Sequence, residues 1–292
     1  MRKLILRAFA KVNLSLNITG KAPNGMHELD SVMMSVDKFD TLTVTERADD
    51  KISVKFTNAD IPVDNNTAYK AAHAVCSKLG RGVDIVIEKG IPMGAGLGGS
   101  SADGAAVLRA LDVLYRLPER GIDMRNVALS VGSDVPFMLT GGLARVRGTG
   151  DDLFFIENKL NLFMVGLMPC EVSTARAYAV FDEINASGAH TPTDTEKLCD
   201  CLLAGENKAL DYLGNALYAP AVKIAPEISA CADKLKAFGA TVNMTGSGGT
   251  VLGYFTDINK FARCASALKT EKGFIALAPA KTGVLHEWIE RE

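Results

Sequence analysis

Between residues 11 and 18 the chain alternates: Val12, Leu14, Leu16 and Ile18 are apolar, and Lys11, Asn13, Ser15 and Asn17 are polar. A two-residue period puts the two sets on opposite faces of a strand, one in the core and one outside. A turn signal, A-P-N-G at 22–25, follows. Further strands are predicted over 39–45, 52–56 and 83–87. Between the last two, Ala68, Ala72, Val75 and Leu79 recur at helical spacing behind Asn66 or Thr67 as cap. Leu108, Leu111 and Leu114 predict a buried helical stripe within 105–117, and a second helix follows near 123–131. Strand patterns return at 143–147 and 162–168, and an exposed loop is expected over 186–195. Helices are predicted over 196–212, 227–238 and 257–269, and two short strands over 274–278 and 282–288.

Hairpin-like strands come first, and no regular alternation of strand and helix follows. That order predicts an α+β fold rather than a doubly wound parallel sheet. A chain of 292 residues suits two domains. The division is placed at 1–157 and 158–292.

Composition narrows the partners. The formal net charge is −2, with 23% charged residues, and carries no basic signature of nucleic-acid binding. No apolar run approaches ~18 residues and no secretory signal is present, so a cytoplasmic protein with no membrane partner is expected. Of the six cysteines only Cys199 and Cys201 are close, at a spacing that suits neither zinc nor a redox pair, and scattered reduced thiols are expected. Oligomeric state is left open.

The chemistry concentrates in P-M-G-A-G-L-G-G-S-S-A, from Pro92 to Ala102. Gly94, Gly96 and Gly99 satisfy G-x-G-x-x-G. A dinucleotide site, however, wants a strand running straight into the glycines and an acidic residue after a second strand. Lys89 to Pro92 intervene, and Asp112 sits in mid-helix. A Walker loop also fails, because Ser100 stands where its lysine belongs. What fits is a cradle of backbone N–H groups around an anion, completed by Gly98, by the hydroxyls of Ser100 and Ser101, and by a helix starting near Ser101.

This stretch resembles the nucleotide loop of the GHMP kinase superfamily of galactokinases, homoserine kinases, mevalonate kinases and phosphomevalonate kinases. The resemblance implies that Pro92, Met93, Ala95, Leu97 and Ala102 belong to the ATP-binding loop along with the glycines and serines. In the family's usual G-L-G-G-G-S-S-D, Ser100 replaces the third glycine and Ala102 the second serine, while Ser101 and Asp103 stay in register. The implied architecture is an N-terminal domain like ribosomal protein S5 and a C-terminal ferredoxin-like domain.

Other segments resemble one branch of that superfamily, which phosphorylates a cytidine diphosphate-linked methylerythritol. A-K-V-N-L carries Lys11 and Asn13, and N-G-M-H-E-L carries Met26 and His27, with Met26 where relatives have an aromatic residue. G-S-D-V-P-F carries Asp134, V-S-T-A-R-A-Y carries Ser173, Thr174 and Tyr178, and T-G-S-G-G-T carries Gly246, Ser247 and Gly248. The resemblance implies that Asp134 is the base and Lys11 its partner, and that the other residues bind the small-molecule substrate. ATP and Mg²⁺ are the implied cofactors. Taken bare, each of these motifs also reads as an ordinary turn, cap or surface residue. Two alternatives stay open: a superfamily kinase for another alcohol of the homoserine or mevalonate class, and a homologue that holds nucleotide without transferring phosphate.

Overall fold

The computed structural model describes residues 2–59, 62, 66–186 and 190–289. Two strands much longer than the pattern predicts, β1 (Lys3–Lys21) and β2 (His27–Arg47), pair antiparallel. Their register shifts between Phe9 and Ala10, Asn13 and Ser15, and Ile18 and Gly20. Such bulges flip the inside–outside order along a strand and hide its full length from a simple period-two reading. β3 (Ile52–Phe56) runs parallel to β4 (Gly82–Glu88), joined by helix α1 (Thr67–Leu79). A parallel pair needs such a crossover. The Asn66 carboxamide caps α1 by accepting from the N–H groups of Ala68 and Tyr69.

Helix α2 (Gly99–Tyr115) packs on α1, and α3 (Met124–Val131) and α4 (Val135–Thr140) follow. α2 starts two residues before Ser101 and stops at Arg116, short of the predicted end at 117. β5 (Leu143–Gly148) and β6 (Asp152–Ile156) extend the first sheet from β2. β6 escapes the pattern because Phe154 and Phe155 are both exposed, so it shows no alternation.

After a connection over 157–162, β7 (Phe163–Leu167) opens a second sheet. Next come α5 (Thr174–Asn185), α6 (Thr195–Ala204), a 3-10 turn Asn207–Tyr212, the two-residue β8 (Gly214–Asn215), α7 (Tyr218–Ile224) and α8 (Glu227–Lys236). The predicted helix over 196–212 thus divides at Gly205, which takes a left-handed conformation. α7 is absent from the pattern because Pro220 reads as a breaker, although in a first turn proline is tolerated. Residues 187–189 of the expected loop lie outside the described residues; Thr193, within it, is tied to Asn17.

β9 (Thr241–Met244) and β10 (Val251–Phe255) form a hairpin, followed by α9 (Ile258–Leu268), β11 (Ile275–Leu277) and β12 (Val284–Ile289). The second sheet is antiparallel in the order β11-β7-β10-β9. Apolar residues of α5, α7, α8 and α9 cover it, among them Phe181, Ala221, Leu235 and Cys264. β12 does not stay with this sheet. It returns to pair with β1, placing Ile289 opposite Lys3. The result is α+β with two sheets, the larger in the order β12-β1-β2-β4-β3.

One expectation needs correcting. The polar face of β1 is not outside: Lys11, Asn13, Ser15 and Asn17 are all buried. The second sheet's hairpin and the 193–195 segment cover that face, and each polar group finds a partner. The Ser15 hydroxyl accepts from the Val32 N–H, and the Asn17 carboxamide donates to the Thr193 carbonyl and the Thr195 hydroxyl. All six cysteines are free thiols. Among the described residues no helix is long and apolar enough to cross a membrane.

Candidate active site

A cleft of about 810 Å³ opens between the two sheets. The glycine stretch forms one wall. Gly94, Gly96 and Gly98 all have positive φ, near 66°, 72° and 73°. Left-handed residues at every second position are what a nest of backbone N–H groups around an anion requires. Between them Ala95 and Leu97 point inward and are buried, and the Lys11 N–H donates to the Leu97 carbonyl at 3.0 Å, so the loop is pinned to β1. A side chain at Gly98 would collide with the Met138 methyl group and stand 3.1 Å from Lys11 Cγ. Gly98 is also the N-cap of α2 and offers no side-chain cap, which leaves the first N–H groups of the helix to whatever occupies the cleft.

The second glycine turn lies backbone against backbone on the first. A Cβ at Gly246 would stand 2.7 Å from the Gly96 carbonyl oxygen, and one at Gly96 would stand 2.5 Å from that of Thr245. The Thr245 hydroxyl, fully buried, accepts from the Asn13 N–H at 3.0 Å. The Asn13 side chain joins both halves: Oδ1 accepts from the Gly246 N–H and from Lys11 Nζ, while Nδ2 donates to the Ser31 hydroxyl. Asn13, itself part of the cleft lining, therefore anchors Lys11 and the second turn.

Lys11 Nζ lies 3.4 Å from Asp134 Oδ2. The lysine side chain is 5% exposed and the aspartate 29%. Asp134 stands at the N-cap position of α4, yet its side chain makes no capping hydrogen bond. The carboxylate thus keeps lone pairs directed at the cleft. α4 is itself clamped by the approach to β12: the Gly283 N–H donates to the Thr140 carbonyl, and the Phe9 N–H donates to the Gly283 carbonyl.

At the other end, the His27 ring stacks on Tyr178 with centroids 4.6 Å apart, and its Nε2 lies 2.9 Å from Asp182 Oδ1. Asp182 also takes Lys21 Nζ at 2.7 Å, and these contacts, His27 first, hold its carboxyl below the usual range. Burial, and then Asp134, push the Tyr178 hydroxyl up to about 12. Met26, where an aromatic is expected, is 45% exposed at the cleft rim. Thr174 reaches the cleft and shares a hydrogen bond of 2.7 Å with the Ser247 hydroxyl.

Three expected residues do not line the cleft. Ala102 turns into the core from α2. Ser173 caps α5 by accepting from the Arg176 N–H. Gly248 turns toward Val172 and Ala221.

A second charged group beneath the loop has no counterpart in the sequence reading. Lys89 Nζ donates to Asp40 and to Asp103, at 2.8 Å in the latter case. Asp40 is fully buried and also accepts from the N–H groups of Gly90 and Ile91. Burial raises the Asp103 carboxyl to about 8 although Lys89 works to lower it; Oδ1 of Asp103 has no hydrogen-bond partner. Burial tends to lower Lys89, but Asp103 and Asp40 outweigh it and raise its pKa.

Comparisons with known proteins find relatives along most of this chain. The family model described as the GHMP kinases N terminal domain matches residues 66–142. A Bacillus pumilus protein named 4-diphosphocytidyl-2-C-methyl-D-erythritol kinase is 37% identical over 273 residues, covering 91% of this chain and 93% of the relative. A crystal structure of 4-(cytidine 5'-diphospho)-2C-methyl-D-erythritol kinase, 30% identical, superposes with a TM-score of 0.78 over 94% of this chain and 99% of its own. Homoserine kinase from Cytophaga hutchinsonii, 18% identical, shares the fold with a TM-score of 0.74, covering 98% of this chain and 97% of its own.

Proposed function

Because the chain belongs to the 4-diphosphocytidyl-2-C-methyl-D-erythritol kinase family of the GHMP kinases, we propose that it transfers the γ-phosphoryl group of ATP to the 2-hydroxyl of that cytidyl alcohol. This is a step of non-mevalonate isoprenoid precursor synthesis. One observation supports the reading above the others: the glycine nest, the Lys11–Asp134 pair and the His27–Tyr178 stack line a single cleft.

The chemistry divides among these parts. The nest and the open start of α2 hold the ATP phosphates through backbone N–H groups. Asp134 accepts the proton of the substrate hydroxyl as its oxygen attacks the γ-phosphorus and the bond to the bridging oxygen of ADP breaks. Lys11, held by Asn13, offsets the negative charge on the transferring group. His27 and Tyr178 take the cytosine end, with Asp182 fixing the His27 ring so that its other nitrogen faces the base.

Mg²⁺ bound with the nucleotide would neutralise part of the charge on its phosphates. The cleft residues fit an ion that arrives on the nucleotide, which needs only one or two protein oxygens. Ser101 lies in the first turn of α2, and Asp103 in the next, with Oδ1 unpaired.

The direct test offers purified protein ATP, Mg²⁺ and a panel of alcohols and records ADP release. Turnover is expected with the cytidyl substrate and not with homoserine or mevalonate. The reverse pattern would replace the substrate, and nucleotide binding without turnover on any acceptor would replace the activity.

A further inference from the structure

A second hollow, of about 480 Å³, lies at the opposite end of α2 from the glycine loop. A helix of this length puts the two sites roughly 25 Å apart. Leu79 at the end of α1 and Leu114 in the last turn of α2 form its apolar floor. Its rim carries Arg2, Arg81, Arg116 and Arg120 against Glu46 and Glu119, an excess of positive charge on a chain whose total is negative.

Not all of that charge is free. Arg2 holds Glu46 through two hydrogen bonds, of 3.1 and 2.8 Å. Arg116 meets Glu119 only at 3.6 Å, and both side chains stand mostly in water. Exposed pairs of that kind contribute little and give way to a better partner. Arg81 and Arg120 make no ion pair among the described residues. Tyr115 adds no competing anion, since burial pushes its hydroxyl up to about 12.

The backbone supplies an independent observation. Arg116 has φ 54°, and it is the one non-glycine residue with positive φ among the described residues. It occupies the C-cap of α2, where α1 and α6 end on Gly80 and Gly205 in the same left-handed conformation. A glycine there would relieve the strain of the left-handed backbone. Arginine costs stability at this position, and strain kept in place points to a use for the side chain.

We propose that this hollow binds a small polyanion of the diphosphate class through the guanidinium groups of Arg81, Arg116 and Arg120. Planar guanidinium groups pair bidentately with phosphoryl oxygens, and a confined hollow suits a small ligand better than a nucleic-acid backbone, which needs an extended basic stripe. The competing explanation is that Arg116 and Arg120 merely answer the negative end of the α2 dipole. The two accounts differ in what the arginines do when an anion is added.

The probe is inorganic diphosphate, titrated calorimetrically into protein whose phosphate loop is already filled with a non-hydrolysable ATP analogue. One site per chain is expected. The double variant Arg81→Ala/Arg120→Ala should weaken it by about tenfold or more, with turnover of ATP unchanged. Equal affinity in the variant, or no diphosphate bound beside the analogue, overturns the proposal. Inorganic phosphate should bind more weakly; equal binding would remove the diphosphate class. Arg116→Gly gives a second reading. Its Tm without ligand should rise as the strain is lost, and the Tm increase on adding diphosphate should shrink. A lower Tm together with an undiminished diphosphate response would show that Arg116 serves the helix end alone.

Discussion

Two clusters of lysine and aspartate reach the same cleft and differ in what is left free. In one, Lys11 faces Asp134, whose carboxylate is 29% exposed and is neither a helix cap nor bound to any backbone N–H. In the other, Lys89 is shared between Asp40 and Asp103; Asp40 is sealed from water and takes two backbone N–H groups as well. Both use the same residue types beside the same loop. A carboxylate can take a proton from a substrate only if it has a lone pair directed at it. By that criterion Asp134 is equipped for the proposed chemistry, and Asp40 is equipped to hold the strand end at Gly90 and Ile91 under the phosphate loop.

Four measurements would break or sharpen this contrast. The largest effect belongs to Asp134→Asn, which should lower kcat by roughly 10²–10⁴ while leaving ATP binding and unfolding midpoint nearly unchanged. A near-normal kcat would take Asp134 out of its proposed role and erase the distinction. Asp40→Ala should do the opposite. It leaves a buried ammonium with a single partner, and urea melts should show a loss of ~3–5 kcal/mol, with turnover per folded molecule largely kept. If instead stability barely moved and turnover collapsed, the buried cluster would belong to the chemistry.

A smaller effect is expected on the pH dependence of stability. Burial raises the pKa of the Asp103 carboxyl in the folded chain from an ordinary 3.8 to about 8. Between those values the native state holds the extra proton, so this group makes stability fall as pH rises through that window. Asp103→Asn, which cannot ionise, should flatten the decline; an unchanged slope in thermal melts from pH 4 to pH 8 would show that Asp103 does not cause it. The smallest change is a control outside both clusters. Met26→Tyr should lower KM for the cytidyl substrate by about three- to tenfold with kcat and melting temperature steady. No change in KM would mean that position 26 does not touch the base.

What could be read from the sequence follows from how local each signal is. The glycine stretch, Lys11, His27 and Asp134 each sit in a short motif, and the cleft does bring them together. Asn13 was visible as a motif residue, but not as the anchor between Lys11 and Gly246, because that contact spans 233 positions. Asp182 lies 155 positions from His27 and Asp40 lies 49 from Lys89, and no local pattern announces either pair. The fold class followed from element order. The first half of β2 did not, since H-E-L-D-S offers no clean alternation and the bulged pairing with β1 shifts its register.

The pairing of β12 with β1 has a consequence in time. During synthesis β1 emerges well before β12, so the outer edge of β1 stands open while everything between them is made. A bare edge of that kind is a template for intermolecular pairing, and a nascent chain stalled before Val284 would expose it. The segment that closes the edge also brings Gly283 onto Thr140, at the end of the helix that follows Asp134. Ribosome-tethered chains stopped before β12 should therefore bind nucleotide poorly and recruit chaperones, whereas chains extended past β12 should bind it.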